Sequence, residues 1–153
     1  MAHIHEKIDF GADTFVVNGN SVLLRIHDKY KEWYAPGGHI ELDEDPEEAA
    51  LREVKEEVGL MVLLAGKRAQ SGDPNEKEVL VPRFINRHRI NATHEHVCFI
   101  YFATSSTREI LQGENEKTCE IKWFTKDELA DPKYGIKERV QFYARAALDE
   151  LGS

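Results

Sequence analysis

Gly38-His-Ile-Glu-Leu-Asp-Glu44-Asp45-Pro46-Glu-Glu48-Ala-Ala50-Leu51-Arg52-Glu53-Val54-Lys-Glu56-Glu57-Val58-Gly59-Leu60 is the stretch on which the fold turns. Its helix signals agree from end to end. Asp45 can cap, Pro46 suits the first helical position, where its missing amide donor costs nothing, and Glu48 completes an Asp-x-x-Glu capping box. Gly59 supplies the C-terminal stop. Ala50, Leu51, Val54 and Val58 recur at helical spacing and define one buried stripe. Glu53, Glu56 and Glu57 lie off that stripe, so they are expected to face solvent or a cleft.

Three carboxylates at i, i+3 and i+4 repel one another by a few tenths of a kcal/mol per pair on an isolated helix. A hard divalent cation compensates naturally, since Mg2+ takes oxygen ligands, keeps several waters and is commonly completed by substrate phosphates. Immediately upstream, Trp33-Tyr34-Ala35 runs into Pro36-Gly37-Gly38. A missing amide followed by two permissive glycines makes a loop whose backbone can approach a ligand.

Working outward, Phe10 to Val17 and Ser21 to Ile26 are β-rich runs around Asn18-Gly19-Asn20, a strong hairpin signal. Further strands are predicted at Leu60 to Ala65, Val79 to Ile85, His96 to Ala103 and Ile121 to Phe124. Gln70 to Lys77 reads as a loop around Gly72-Asp73-Pro74-Asn75. Thr125-Lys-Asp-Glu128 predicts a second capping box and a short helix, and Lys137 to Leu151 a longer one. No internal repeat or linker divides the chain, so residues 1–153 are expected to form one domain.

The chain has 153 residues and a formal net charge of -8. That charge supplies no general positive field for duplex nucleic acid, which weighs against a nucleic-acid partner. A phosphorylated ligand remains compatible where bound cations invert the charge of one pocket. Two cysteines, Cys98 and Cys119, are too few for a disulfide scaffold. No signal-peptide pattern or bilayer-length apolar run is present, so a cytoplasmic protein without a membrane partner is expected.

The quoted segment resembles the Nudix box, G-x5-E-x7-R-E-U-x-E-E-x-G-U with U aliphatic, and every fixed position is matched without a gap. The resemblance implies an α/β/α sandwich with a mixed central sheet and one Nudix domain. It also implies hydrolysis of a phosphoanhydride in a nucleoside-diphosphate-linked small molecule: a nucleoside triphosphate, a nucleotide sugar or a dinucleoside polyphosphate. By the same resemblance Glu53, Glu56 and Glu57 ligate Mg2+ or Mn2+, with a backbone carbonyl at Gly37 or Gly38 as a further ligand. Glu44 and Arg52 hold loop and helix together. Glu53 is the first candidate to accept the proton of the attacking water. Related enzymes also place this base outside the box, where Glu95, Glu116 and Glu120 are candidates and Glu120 is favoured. The rival reading is a catalytically inactive nucleotide-sensing or protein-binding Nudix domain. A homodimer is compatible with similar proteins.

Other residues carry weaker signals. Without the box, three helix glutamates are ordinarily a solvated face. Arg83, Arg87, His88 and Arg89 form a basic cluster that can meet phosphates or simply solubilise a segment, and Arg25 is a further phosphate candidate. Trp33, Tyr34 and Trp123 can stack on a base, although large aromatics more often pack in a core. His94 and His96 point to one side of a strand, but no third ligand at zinc spacing accompanies them.

Overall fold

The computed structural model describes residues 7–27, 29–112 and 120–153. Cys119 and Glu116 therefore lie outside the described residues. The chain opens with the hairpin of β1 (Ile8–Asn18) and β2 (Ser21–Ile26). Pairing of Asn18 with Ser21 leaves Gly19-Asn20 as a two-residue turn, with Gly19 at φ 61°. Short strands β3 (Trp33–Tyr34) and β4 (Gly37–His39) lead into α1 (Pro46–Val58). Then follow β5 (Leu63–Ala65), β6 (Phe84–Asn91), β7 (His94–Thr104), β8 (Ile121–Phe124), α2 (Lys126–Ala130), a 3-10 turn at Pro132–Tyr134 and α3 (Glu138–Leu151).

All eight strands join one sheet along the path β3-β2-β1-β7-β5, with β4 on β1, β6 on β7 and β8 on β2. β1 and β7 run parallel from Ile8 opposite Glu95 to Val17 opposite Thr104, and the other pairs are antiparallel. The sheet is therefore mixed, as the resemblance implied. Side-chain alternation divides it into two faces. Val16, Leu23 and Ala103 pack with Val54 and Val58 of α1. Phe15, Val17, Val22, Leu24 and Phe102 pack with Leu129 of α2 and Val140, Ala144 and Leu148 of α3. A sheet between two helical layers results. No helix among the described residues is long and apolar enough to cross a membrane.

The caps of α1 form as the sequence predicts. Glu48 N donates to Asp45 Oδ1 at 2.8 Å, Asp45 N donates to Glu48 Oε1 at 3.1 Å, and Gly59 takes φ 70°. The buried face is shifted from the predicted stripe. Leu51 is exposed, whereas the row Ala49, Glu53, Glu57 is buried beside the row Ala50, Val54, Val58. The glutamates occupy interior positions because the sheet meets them there with polar groups.

The strand predicted at Val79 to Ile85 is also corrected: β6 starts only at Phe84. Pro82 has no amide to give a ladder. The preceding backbone is held by other groups, with Leu80 N donating to Glu47 Oε1 at 2.8 Å and Leu80 O accepting from Tyr101 Oη at 3.2 Å. Arg68 grips Glu47 through two nitrogens at 2.8 and 2.7 Å. The Gln70 to Lys77 loop is joined to the start of α1 by Lys77 Nζ and Asp45 Oδ2 at 2.8 Å.

Candidate functional site

The close approach of β4 to α1 builds the site. Glu53 and Glu57 retain 5 % and 4 % exposure, so both carboxylates are withdrawn from bulk water, a costly state unless compensated. Glu57 Oε1 accepts from the Gly37 amide at 2.7 Å, and its other oxygen pairs with Arg25 of β2, itself buried. Glu53 Oε1 accepts from Arg52 Nη1 at 2.9 Å. A Cβ on Gly38 would overlap the Glu53 carboxylate, with its Cδ only 2.7 Å away. One on Gly37 would overlap Asp13 and stand 2.7 Å from the Ala12 carbonyl oxygen. Gly37 is thus required by the neighbouring backbone, and Gly38 by the position that the Glu53 carboxylate holds.

Their carbonyls differ. Both backbone groups of a strand residue lie on one edge, so the Gly37 carbonyl shares the edge from which its amide reaches Glu57. The Gly38 oxygen instead stands 3.1 Å from the position a Cβ would take on Gly11 of β1.

Arg52 ties the loop to the helix. Its Nε and Nη2 grip Glu44 at 3.0 and 2.6 Å, Nη2 also reaches the His39 carbonyl at 3.1 Å, and Nη1 reaches Glu56 at 3.2 Å. A bidentate pair of this kind is directional as well as strong. Hydrogen bonding from Arg52 holds the Glu44 carboxyl below the usual range despite its partial burial. Glu56 is exposed, unlike its two neighbours on the box.

A cleft of about 660 Å³ extends from these carboxylates onto the α3 face of the sheet. Asp13, Arg25, Tyr34, Glu53, Glu57 and Arg139 are among its walls. Burial pushes the Asp13 carboxyl up to about 7, against the attraction of Arg139 and with added repulsion from Glu53. His88 is pushed down to about 4 by burial and by the positive charges of Arg139 and Lys137, so it is neutral near pH 7. Its Nδ1 lies 2.8 Å from Asn86 Oδ1, an acceptor, which leaves Nε2 as the lone-pair nitrogen. Tyr30 and Tyr34 stand with His27 at ring separations of 4.8 to 6.4 Å, and the Arg139 guanidinium lies 6.0 Å over the Tyr34 ring.

The structure gathers only some of the residues singled out from sequence. Arg25, Gly37, Gly38, Glu53, Glu57, Tyr34, His88 and Arg89 line the cleft. Arg83 and Arg87 do not: Arg83 pairs with Glu150, and Arg87 is held in a bidentate pair by Glu95 at 2.6 and 3.1 Å. Strand alternation turns Arg87 away from His88, and charge neutralisation keeps both arginines at the surface. Glu120 is exposed outside the cleft lining, its carbonyl accepting from Ile26 N at 2.9 Å. Trp33 is core, edge-on to Phe124 at 4.9 Å, and Trp123 donates to the Arg108 carbonyl at 3.2 Å. Gly59 closes the helix beside Leu111, which leaves no room for a Cβ.

Sequence reasoning passed over Asp13, His27, Tyr30 and Arg139. Asp13 carried one usable signal, a lone acid inside a β-rich run. The others gain meaning only from the contact of β2 and β3 with α3.

A family model described as the NUDIX domain matches residues 8–146. A crystal structure of a NUDIX-family hydrolase from Clostridium perfringens superposes with TM-score 0.84 at 34% identity, covering 94% of this chain and 97% of that chain. The C. elegans Ap4A hydrolase, solved as a binary complex, has TM-score 0.69 at 16% identity, covering 94% and 97% of the two chains, a likeness of fold alone. A Lactococcus lactis subsp. cremoris protein named "Probable DHNTP pyrophosphohydrolase" is 28% identical over 106 residues. The match covers 69% of this chain and 60% of that relative, so under two thirds of the relative's length is spanned.

Proposed function

This chain belongs to the Nudix family, and from that premise we propose that it is a pyrophosphohydrolase cleaving a phosphoanhydride bond in a nucleoside-diphosphate-linked small molecule. The observation that carries the reading is the convergence of buried Glu53 and Glu57 on the Gly37-Gly38 backbone.

Members of the family act with divalent metals, and the residues present fit such an ion. Two buried carboxylates, an exposed third at Glu56 and the Gly37 carbonyl form an all-oxygen donor set, the chemistry preferred by Mg2+ or Mn2+. Of the two glycine carbonyls, Gly37 is the better placed. When bound, the ion supplies charge neutralisation for the diphosphate and lowers the pKa of water.

The chain's own residues do the rest. Glu53 accepts the proton of the attacking water. Arg25 fixes the orientation of Glu57, and Arg52 fixes that of Glu53 while anchoring Glu44. The substituent of the diphosphate extends onto the α3 face, where Arg139 meets negative charge and the Tyr30-Tyr34-His27 group offers an aromatic surface. Asp13, poised near neutrality, can donate or accept a hydrogen bond there. Nucleoside triphosphates, nucleotide sugars and dinucleoside polyphosphates all present the required diphosphate, and the DHNTP in the name of the Lactococcus relative joins them as a further compound to test.

The test is phosphate or pyrophosphate release from a panel of those three classes with Mg2+ or Mn2+, beside Glu57→Gln. Metal-dependent turnover that vanishes in the folded variant supports the enzyme and ranks its substrates. Folded, metal-loaded protein that turns over nothing in the panel favours the nucleotide-sensing alternative and overturns the proposal.

A further inference from the structure

His94 and His96 project from the same face of β7, and the parallel register sets Asp9 of β1 directly opposite His96. One ligand atom from each of these three residues lies within 4.8 Å of the others. Asp9 and His94 retain only 2 % and 5 % exposure. His39, on β4 and paired with Gly11, joins them from the other side of β1. Spacing along the chain offered no third ligand for the two histidines, but strand pairing supplies a carboxylate and another imidazole.

The distances suit one small ion. His94 Nε2 is 3.2 Å from Asp9 Oδ2, His39 Nε2 is 3.8 Å from the same oxygen, and His39 Nε2 is 3.3 Å from His96 Nε2. Tetrahedral Zn2+ with bonds of about 2.0 to 2.2 Å sets its ligand atoms roughly 3.3 to 3.6 Å apart. Two imidazole nitrogens from different strands thus approach a single carboxylate oxygen, at separations close to those of a shared coordination sphere. Histidine-rich donors select a borderline transition metal, in contrast to the all-oxygen set on α1.

We propose that Asp9, His94 and His96, completed by His39, form a transition-metal site for which Zn2+ is the fitting ion, separate from the carboxylate set of Glu53, Glu56 and Glu57. The ion clasps three strands, β1, β4 and β7, with His39 and His96 in the cleft wall. His39 follows Gly38 directly, and its carbonyl accepts from Arg52. The clasp therefore also steadies the strand against which Glu53 and Glu57 are set.

The experiment uses protein without a histidine tag, stripped with a chelator, exchanged into excess Mg2+ and titrated with Co2+ as an optical probe. About one equivalent of Co2+ is expected to give the intense visible absorption of low-coordinate nitrogen and oxygen ligation, displaced by Zn2+. Glu57→Gln retains this signal. His94→Gln and His96→Gln, checked for native circular dichroism, weaken binding by more than about 100-fold, beyond the loss of a mere outer-shell partner. In the unmutated protein, Zn2+ added over excess Mg2+ raises Tm, a readout that needs no variant to fold. Absence of the Co2+ signal in the unmutated protein overturns the site. So does a signal that persists in both folded histidine variants, or one that disappears in Glu57→Gln.

Discussion

Adding one methyl group at Gly38 probes the geometry more directly than removing a carboxylate. In Gly38→Ala the new Cβ would stand 2.7 Å from Glu53 Cδ, whereas carbons in contact settle at about 3.5 to 4.0 Å. The carboxylate must retreat by roughly 1 Å, and a displacement of that size at a reacting group costs on the order of 100-fold in rate, or about 2.8 kcal/mol. Overpacking also costs stability, typically about 1 to 3 kcal/mol, so turnover is measured well below the variant's own melting transition. The assay is kcat for the best substrate of the panel at saturating Mg2+, in Gly38→Ala, Glu53→Gln and the double variant. If the methyl acts through Glu53, the double variant is no slower than Glu53→Gln, a failure of additivity expected for groups in contact. A Gly38→Ala enzyme within threefold of the parent would refute the reasoning, as would full additivity of the two losses.

Other outcomes follow from neighbouring contacts. Arg52 holds the Glu44 carboxyl below its ordinary pKa of about 4.3, so the stability that this bond provides is complete above that pH and is lost as pH falls through the lowered folded value. Urea titrations between pH 6 and 3 should show a shallower acid decline in Glu44→Gln than in the parent, and equal slopes would remove Arg52 as the cause. Arg139→Ala should raise KM roughly tenfold or more with a smaller change in kcat, the size expected for losing a charged hydrogen bond to bound substrate. An unchanged KM would place the substrate elsewhere. Gly59→Ala forces an L side chain to φ 70° against Leu111, and should cost at least about 1 to 2 kcal/mol in urea unfolding with little effect on kcat of the folded enzyme. Unaltered stability would contradict the left-handed cap.

Much of the machinery near α1 was legible in sequence because its physics is local. Asp45, Pro46, Glu48 and Gly59 each satisfy or terminate backbone groups within a turn of their own position, and the Nudix spacing runs through that same helix. The Gly19-Asn20 turn and the Thr125 box of α2 were readable for the same reason. What sequence periodicity could not decide was which way the helix faced. Hydrophobicity left the glutamates facing solvent or a cleft; Glu56 is exposed, whereas β4 and Arg25 offer an amide and a guanidinium that make burial of Glu57 in the cleft wall favourable, and Leu51 was displaced to the surface. The cleft walls were hidden further, since Asp13, Tyr34 and Arg139 meet only after the sheet is sandwiched between α1 and α3. Asp9 faces His96 solely because β1 and β7 pair in parallel register. A local motif thus determined the family chemistry through short-range hydrogen bonding and helical spacing. Burial, charge pairing and the second histidine-rich cluster were decided by long-range strand pairing, whose register is set by packing of the two sheet faces rather than by neighbours in the chain.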